Sequence, residues 1–516
     1  MNPTPFVTAR IAVVLIAVFL TACGSSREAA IGYGPYDQAP RNPQELATGI
    51  ETVLSHPDFL NANWAVLVVD LDSGERLYEK NAGKSFLPAS NGKIYTTAAA
   101  LDQLGVDFRF KTPLYTRGEI VDGVLHGDIV VRGTGDPVIG GRFTGGDITL
   151  LFRAWADSLK ALGIHKIHGS IIGDDNEFDD IPLGIAWSWD DEPFWYSAEI
   201  SALSLSDNNV DFTFKSTTEG EPVEISWEPG NTDYISVTNN LLTVPSDSAR
   251  RTTYDKRRGT NQFVIAGELP RGRTGSTSLS ITNPTLFFAH VFRETLISAG
   301  IEVDGVSLDV DALSDSLDYQ ADDMRLVATH TSVPLSDIVY ELNKISHNLY
   351  AEMLLKKLGT VFPVDDPDLV PGSAAMGIAR AMDTFAAAGV DTSRIHLKGG
   401  SGLSRMTYVT AEMTASVLTF MWHHPDDAVK DAFLDSLPVG GFDGTIKSRF
   451  KAGRTRGKVR AKTGTMTGVS ALSGYVPSDV GTNLLFVIMA NQFTVPTSRA
   501  RQAQDDIVEL LAAYKQ

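Results

Sequence analysis

Both ends of this chain are written in one structural vocabulary and its middle is not, so the fold must be one body interrupted by another. Residues 43–56 carry Leu46, Ile50, Val53 and Leu54 on a single helical stripe. Residues 64–71 read as a strand, Asp72-Ser73-Gly74 as a turn, and residues 75–78 as the returning arm of a hairpin. A helix follows Pro88-Ala89-Ser90, with Ile94, Ala98 and Leu101 facing a core and Gly105 ending it. Helical patterns return after Leu335, through Gly359 and again at residues 374–388. Strands follow at residues 462–475 and 483–491, and a last helix at 500–514. From about Thr112 to Leu317 the texture is short strands and turns, with clear helical patterns only at residues 150–162 and 284–299. The pattern predicts an α/β (α+β) domain split between residues 45–112 and 320–516, with a β-rich region inserted at 113–319.

The first residues describe an export route. Arg10 precedes a ten-residue apolar run, Ile11 to Leu20. That is too short to span a bilayer, which takes about 20 residues, and fits the apolar segment of a secretory signal. The run ends in Leu20-Thr21-Ala22-Cys23, which resembles a bacterial lipobox. The resemblance implies cleavage before Cys23 (signal peptide 1–22), lipid on that cysteine, and a tether over residues 23–44. No aspartate follows Cys23 directly, so the expected address is extracytoplasmic, on the periplasmic face of the outer membrane in a Gram-negative cell. Cys23 is the only cysteine, so neither an intrachain disulfide nor a cysteine metal site can form. A net charge of −19 argues against a nucleic-acid partner, which needs a basic face. The ten histidines form no metal-binding pattern, and no metal or other cofactor is expected.

Three short stretches carry chemistry. Ser90 and Lys93 stand at i and i+3 where a helix begins, so a helical turn brings amine and hydroxyl to one face. A hydroxyl is a weak nucleophile until a base takes its proton. Lysine can be that base only if desolvation or a nearby cation lowers its pKa, so a second positive group is expected. Next, in Asn343-Lys344-Ile345-Ser346-His347-Asn348, Ser346 and Asn348 are two apart and share no helix face. They converge on a site only if the helix breaks there. Finally, Arg460-Ala461-Lys462-Thr463-Gly464-Thr465 enters a strand: Lys462 is the second cation, Thr463 adds a hydroxyl, and Gly464 admits a close backbone approach, expected to be a ligand's. Each stretch alone has an ordinary reading as a helix cap, a solvated lysine or a basic strand end. Their order, and the elements that carry them, favour a site.

Ser-x-x-Lys, Ser-x-Asn and Lys-Thr-Gly in this order form the set of penicillin-binding proteins and β-lactamases. The chain resembles the D-alanyl-D-alanine carboxypeptidase/endopeptidases, the low-molecular-mass class C penicillin-binding proteins. Further stretches carry the likeness: Gly173-Asp174-Asp175-Asn176-Glu177-Phe178, Ser201-Ala202-Leu203-Ser204-Leu205, Gly400-Ser401-Gly402-Leu403-Ser404-Arg405 and residues 437–445. The roughly 250 residues between Lys93 and Ser346 match the inserted domains of that family. The resemblance implies a serine β-lactamase/DD-peptidase-like domain, an antiparallel sheet flanked by helices. It implies Ser90 as nucleophile, Lys93 as base, Ser346 as proton relay, and Asn348, Lys462, Thr463, Gly464 and Thr465 as substrate-binding residues. It implies oxyanion donors at the Ser90 and Thr465 nitrogens, peptidoglycan stem peptides as substrate and β-lactams as inhibitors. His347 stands where the family often has aspartate, and is expected to face away from the chemistry. The rival readings are a serine β-lactamase and a non-catalytic, lipid-anchored wall-binding protein.

Overall fold

Asn63–Asp70, near the start of the chain, pairs antiparallel with Asn483–Asn491, near its end, in a register running from Asn63 opposite Asn491 to Asp70 opposite Leu484. This pairing holds together a five-stranded antiparallel sheet in the order Arg460–Met466, Val469–Pro477, Asn483–Asn491, Asn63–Asp70, Arg76–Lys80. The coordinates are a computed structural model that describes residues 39–515 apart from Asn231. The secretory run, Cys23 and most of the tether lie outside the described residues. Among those described, no helix is long and apolar enough to cross a membrane.

Strand periodicity explains why this sheet is buried on both sides. Ala65 and Leu67 face a core shared with the helices Gly92–Leu104, Leu335–Ile345, Asn348–Val361, Ala374–Ala387, Ala411–Trp422 and Asp427–Ser436. Trp64, Val66 and Val68 face the opposite way, onto Pro43–Leu54 and Thr497–Ala513, the first and last helices. The expected antiparallel sheet flanked by helices is therefore present. The helices at Ala411–Trp422 and Asp427–Ser436 have no counterpart in the sequence reading. The first is apolar almost all round and buried, so it shows no one-sided stripe.

Between Lys111 and Thr331 lies a seven-stranded mixed sheet, two three-stranded sheets and the helices Leu150–Ala161 and Pro284–Ser298, around a separate apolar core. Its limit differs from the expected 319. Met324–Thr331 pairs antiparallel with Lys111–Val121, Met324 opposite Arg117, so the chain leaves the inserted sheet only after Thr331.

The insertion is fastened to the helix that carries Asn348. Phe178, Ile200 and Ala202 pack with Leu349 and Met353. Lys357 pairs with Glu177 at 2.7 Å and Lys356 with Asp179. Paired and hydrogen-bonded, these buried lysines avoid the penalty of isolated charges and pin the insertion at one angle.

Candidate active site

The helix Gly92–Leu104 is preceded by one tight turn, Ala89–Asn91. Ala89 has φ +47°, a strained value for a residue with a side chain, and it presents Ser90 at the helix entrance. The Ser90 side chain caps nothing. Its Oγ lies 3.0 Å from Lys93 Nζ, as the i, i+3 spacing predicts.

Lys93 is 0% exposed. Its amine also donates to Asn348 Oδ1 at 2.5 Å and to the Ser401 carbonyl at 2.8 Å. Burial pushes its pKa down to about 7, opposed by the charge of Glu352. The sequence reading allowed desolvation or a nearby cation and looked for a second positive group. Desolvation is the leading cause, and the repulsion between the two amines acts on Lys462, which burial and Lys93 together hold well below its ordinary value. Two amines buried beside one cleft cannot both carry a proton cheaply.

Ser346 is where the helix breaks. Leu335–Ile345 ends there with Ser346 in the left-handed region (φ 64°, ψ 45°), and a new helix starts at Asn348. That reversal turns Ser346 and Asn348 into one site. Ser346 Oγ accepts from Lys462 Nζ at 2.8 Å, and the same amine donates to the Thr463 carbonyl at 3.0 Å. Asn348 is engaged within the protein: Oδ1 accepts from Lys93, and Nδ2 donates to the Tyr196 carbonyl of the insertion at 2.6 Å.

The strand Arg460–Met466 lies directly against the serine turn. A Cβ on Gly464 would fall 2.4 Å from the Pro88 carbonyl oxygen and 3.1 Å from the Ser90 nitrogen. Gly464 thus admits the chain's own backbone rather than a ligand's, correcting the reason given for it above. Asn91 ties strand to turn: its Nδ2 donates to the Lys462 carbonyl at 2.9 Å and its Oδ1 accepts from Ser473 at 2.5 Å. Thr463 bonds Thr445 at 2.8 Å, and Thr465 Oγ1 accepts from Arg501 at 3.1 Å.

Ser90, Ser346, Asn348, Thr463 and Thr465 line one cleft of about 530 Å³, with Lys93 and Lys462 bonded to its walls from behind. Trp195, Tyr196 and Asp191 of the insertion form one side, and Arg405, Arg449 and Arg501 add positive charge. None of these six was anticipated in a site role; Arg405 was read only as the end of the stretch Gly400–Arg405. A lone Arg in a loop or on a terminal helix has no local signature. His347 is buried and stacks on Tyr350, with Nε2 3.2 Å from the Asp207 carboxylate. Burial would raise the Asp207 carboxyl, but His347 and Arg142 hold it well below its ordinary range. His347 is thus committed to the insertion.

The outer stretches brace this cleft. Glu177 holds Lys357, and Ser204 reaches Met353 on the Asn348 helix. Ser401 presents its carbonyl to Lys93. Asp443 pairs with Lys344 at 2.8 Å beside the helix break, and Thr445 holds Thr463.

A hydroxyl beside a desolvated amine, with a second serine–lysine pair across the cleft, is an arrangement suited to a serine hydrolase, with a lysine standing where many serine enzymes have histidine. The model of the D-Ala-D-Ala carboxypeptidase 3 (S13) family matches residues 46–514. A D-alanyl-D-alanine carboxypeptidase of Actinomadura sp. (strain R39) is 35% identical over 488 residues, 91% of this chain and 85% of that protein. The D-alanyl-D-alanine carboxypeptidase DacB of Haemophilus influenzae is 26% identical over 454 residues, covering 87% and 89%. The crystal structure of penicillin binding protein 4 (dacB) from Haemophilus influenzae shares the fold, with TM-score 0.76 at 24% identity over 92% of this chain and 100% of that one. The chain belongs to the S13 family of D-Ala-D-Ala carboxypeptidases. The family resemblance read from the motifs therefore holds.

Proposed function

We propose that Ser90, Lys93, Ser346 and Lys462 together carry out the family's reaction, hydrolysis of the D-Ala–D-Ala bond of peptidoglycan stem peptides, through an acyl-enzyme on Ser90. The observation that carries this reading is the environment of Lys93. A neutral amine has two N–H donors and one lone pair. Asn348 Oδ1 and the Ser401 carbonyl are acceptors only, so they take the two N–H groups and leave the lone pair for the Ser90 hydroxyl. Ser90 Oγ attacks the carbonyl between the two D-alanines while its proton passes to Lys93. Oxyanion donors at the Ser90 and Thr465 nitrogens would each be worth about 10²–10³ in rate. As the C–N bond breaks, Ser346, held by Lys462, passes its hydroxyl proton to the departing amine, and the proton that Lys93 took from Ser90 replaces it. The terminal carboxylate is held by Lys462, Thr463 and Thr465, with the Arg501 guanidinium beside Thr465 supporting that end. The second Nδ2 hydrogen of Asn348 orients the acyl-side amide. Water then releases the acid.

The same attack on a 4,3 cross-link, whose scissile bond also joins two D-centres, is endopeptidase action, and a β-lactam acylates Ser90 and stays. The relatives' names support the reading: one is a penicillin-sensitive carboxypeptidase A from Dictyostelium discoideum, 26% identical over 460 residues. Digestion of purified sacculi followed by mass spectrometry of the products is expected to show free D-alanine and resolved cross-links. With nitrocefin a single stoichiometric burst is expected; sustained turnover would make the protein a β-lactamase, and intact sacculi would leave a wall-binding protein.

The lipobox-like Leu20-Thr21-Ala22-Cys23 supports a protein anchored by lipid on Cys23 and facing the periplasm from the outer membrane of a Gram-negative cell. Cys23→Ser is expected to move it from the membrane to the soluble fraction of the cell. Unchanged membrane association would sink the anchor.

A further inference from the structure

We infer that Glu352 is a positioning residue for the reaction, holding the loop whose carbonyl aims the Lys93 amine at Ser90 and supplying the negative charge that offsets the ammonium formed during acylation. Glu352 lies one helical turn beyond Asn348, so the two share a face of the helix Asn348–Val361. Its side chain is buried, at 2% exposure. Oε2 accepts from the Gly400 nitrogen at 2.8 Å, and Oε1 accepts from the Ser401 nitrogen at 2.9 Å and from Ser401 Oγ at 2.5 Å. The carboxylate therefore grips the N–H groups of two successive peptide units, Gly399–Gly400 and Gly400–Ser401. The next carbonyl, that of Ser401, is the one that takes a proton of Lys93 at 2.8 Å.

Close packing makes this grip possible. A Cβ on Gly399 would fall 2.8 Å from Glu352 Oε2, and one on Gly400 would fall 2.2 Å from the Ala351 carbonyl oxygen. Two glycines in succession let the loop lie flat on the helix. One face of the helix thus holds both acceptors of the amine: Asn348 directly, and the Ser401 carbonyl through Glu352.

The charge matters as well as the shape. Two charged or titratable groups face the Lys93 amine: Glu352 from the helix Asn348–Val361, which raises its pKa, and Lys462 from the strand Arg460–Met466, whose own pKa Lys93 lowers. When Lys93 takes the Ser90 proton, the ammonium forms in a buried site beside another amine. A fixed carboxylate behind the loop offsets that charge without competing for the hydroxyl. In sequence, the signal is a lone Glu in the apolar run Leu349-Tyr350-Ala351-Glu352-Met353-Leu354-Leu355.

Glu352→Gln tests the inference. Its amide nitrogen would meet a backbone N–H of the loop, donor against donor, and its charge is gone. The second-order rate of Ser90 acylation by penicillin, measured from about pH 5 to about pH 9, is expected to fall about tenfold or more on its plateau. The acidic limb is expected to move to lower pH, because the carboxylate raises the Lys93 pKa and its loss lets the amine deprotonate sooner. An unchanged plateau, or a reduced plateau with an unmoved limb, would overturn the inference; the latter would leave Glu352 a purely structural residue. Glu352→Asp keeps the charge but retracts it, so its rate should drop while its limb stays near wild type. If the Gln variant does not fold, the Asp variant decides alone, and a wild-type acylation rate in it overturns the positioning role. The inference rests on Lys93 as the base, which Lys93→Ala tests separately.

Discussion

Ser90→Ala is expected to lose D-Ala release and penicillin labelling together, by about 10⁴-fold or more, as removal of an attacking serine does elsewhere. The two losses are one event, because both substrates meet the same oxygen. The hydroxyl caps no helix end, so its removal leaves the turn's backbone bonds in place. The missing partner is only one of three around the Lys93 amine, the others being Asn348 and the Ser401 carbonyl. The variant should therefore fold, melt close to wild type, and still bind a stem peptide without cleaving it. Release of free D-alanine and fluorescent-penicillin labelling on a gel are the measurements. Either activity above about a tenth of wild type in a homogeneous sample would remove Ser90 as the nucleophile.

Lys93→Ala should remove acylation with a loss of about 10²–10⁴, the range of a general base. The fold should survive. The deleted amine is fully buried, and burying it is itself unfavourable, so relief of that penalty offsets part of the cavity left behind. The wild-type pH profile belongs to the same argument. Only the uncharged amine accepts a proton, and burial brings the Lys93 pKa down to about 7. Acylation is therefore expected to be low in acid and to rise as pH climbs through about 7. A lysine with an ordinary pKa would put that rise above pH 9, at roughly 10.4. A stable Lys93→Ala variant that labels at the normal rate would exclude Lys93 as base, and a wild-type rate flat from about pH 5 would exclude the depressed amine.

Much of this site was legible because its pieces are local. Ser90 and Lys93 are three residues apart, and helical geometry alone brings them together. Ser346 and Asn348 demanded a broken helix, and the break is there, with Ser346 in the left-handed region between two helices. Lys462, Thr463 and Thr465 were read on a strand and sit on one. What stayed hidden depends on packing partners far away in the chain. Gly464 looked like an opening for a ligand, and it is the seat of the Pro88–Asn91 backbone. The depression of Lys93 was open to desolvation or a cation, and only the cation Lys462 could be named, because a sequence shows charges but not the exclusion of water.

The sequence by itself determined the split layout and the three motif-bearing stretches with the elements that carry them, since periodicity and spacing act over a few residues. Tertiary structure alone decided where the insertion ends, which walls the cleft has and how dry its amines are. Strand pairing puts Asn63 opposite Asn491, and Asn91 reaches the Lys462 carbonyl across 371 positions of chain. Desolvation is a property of everything packed around a group, and no short window of residues contains it.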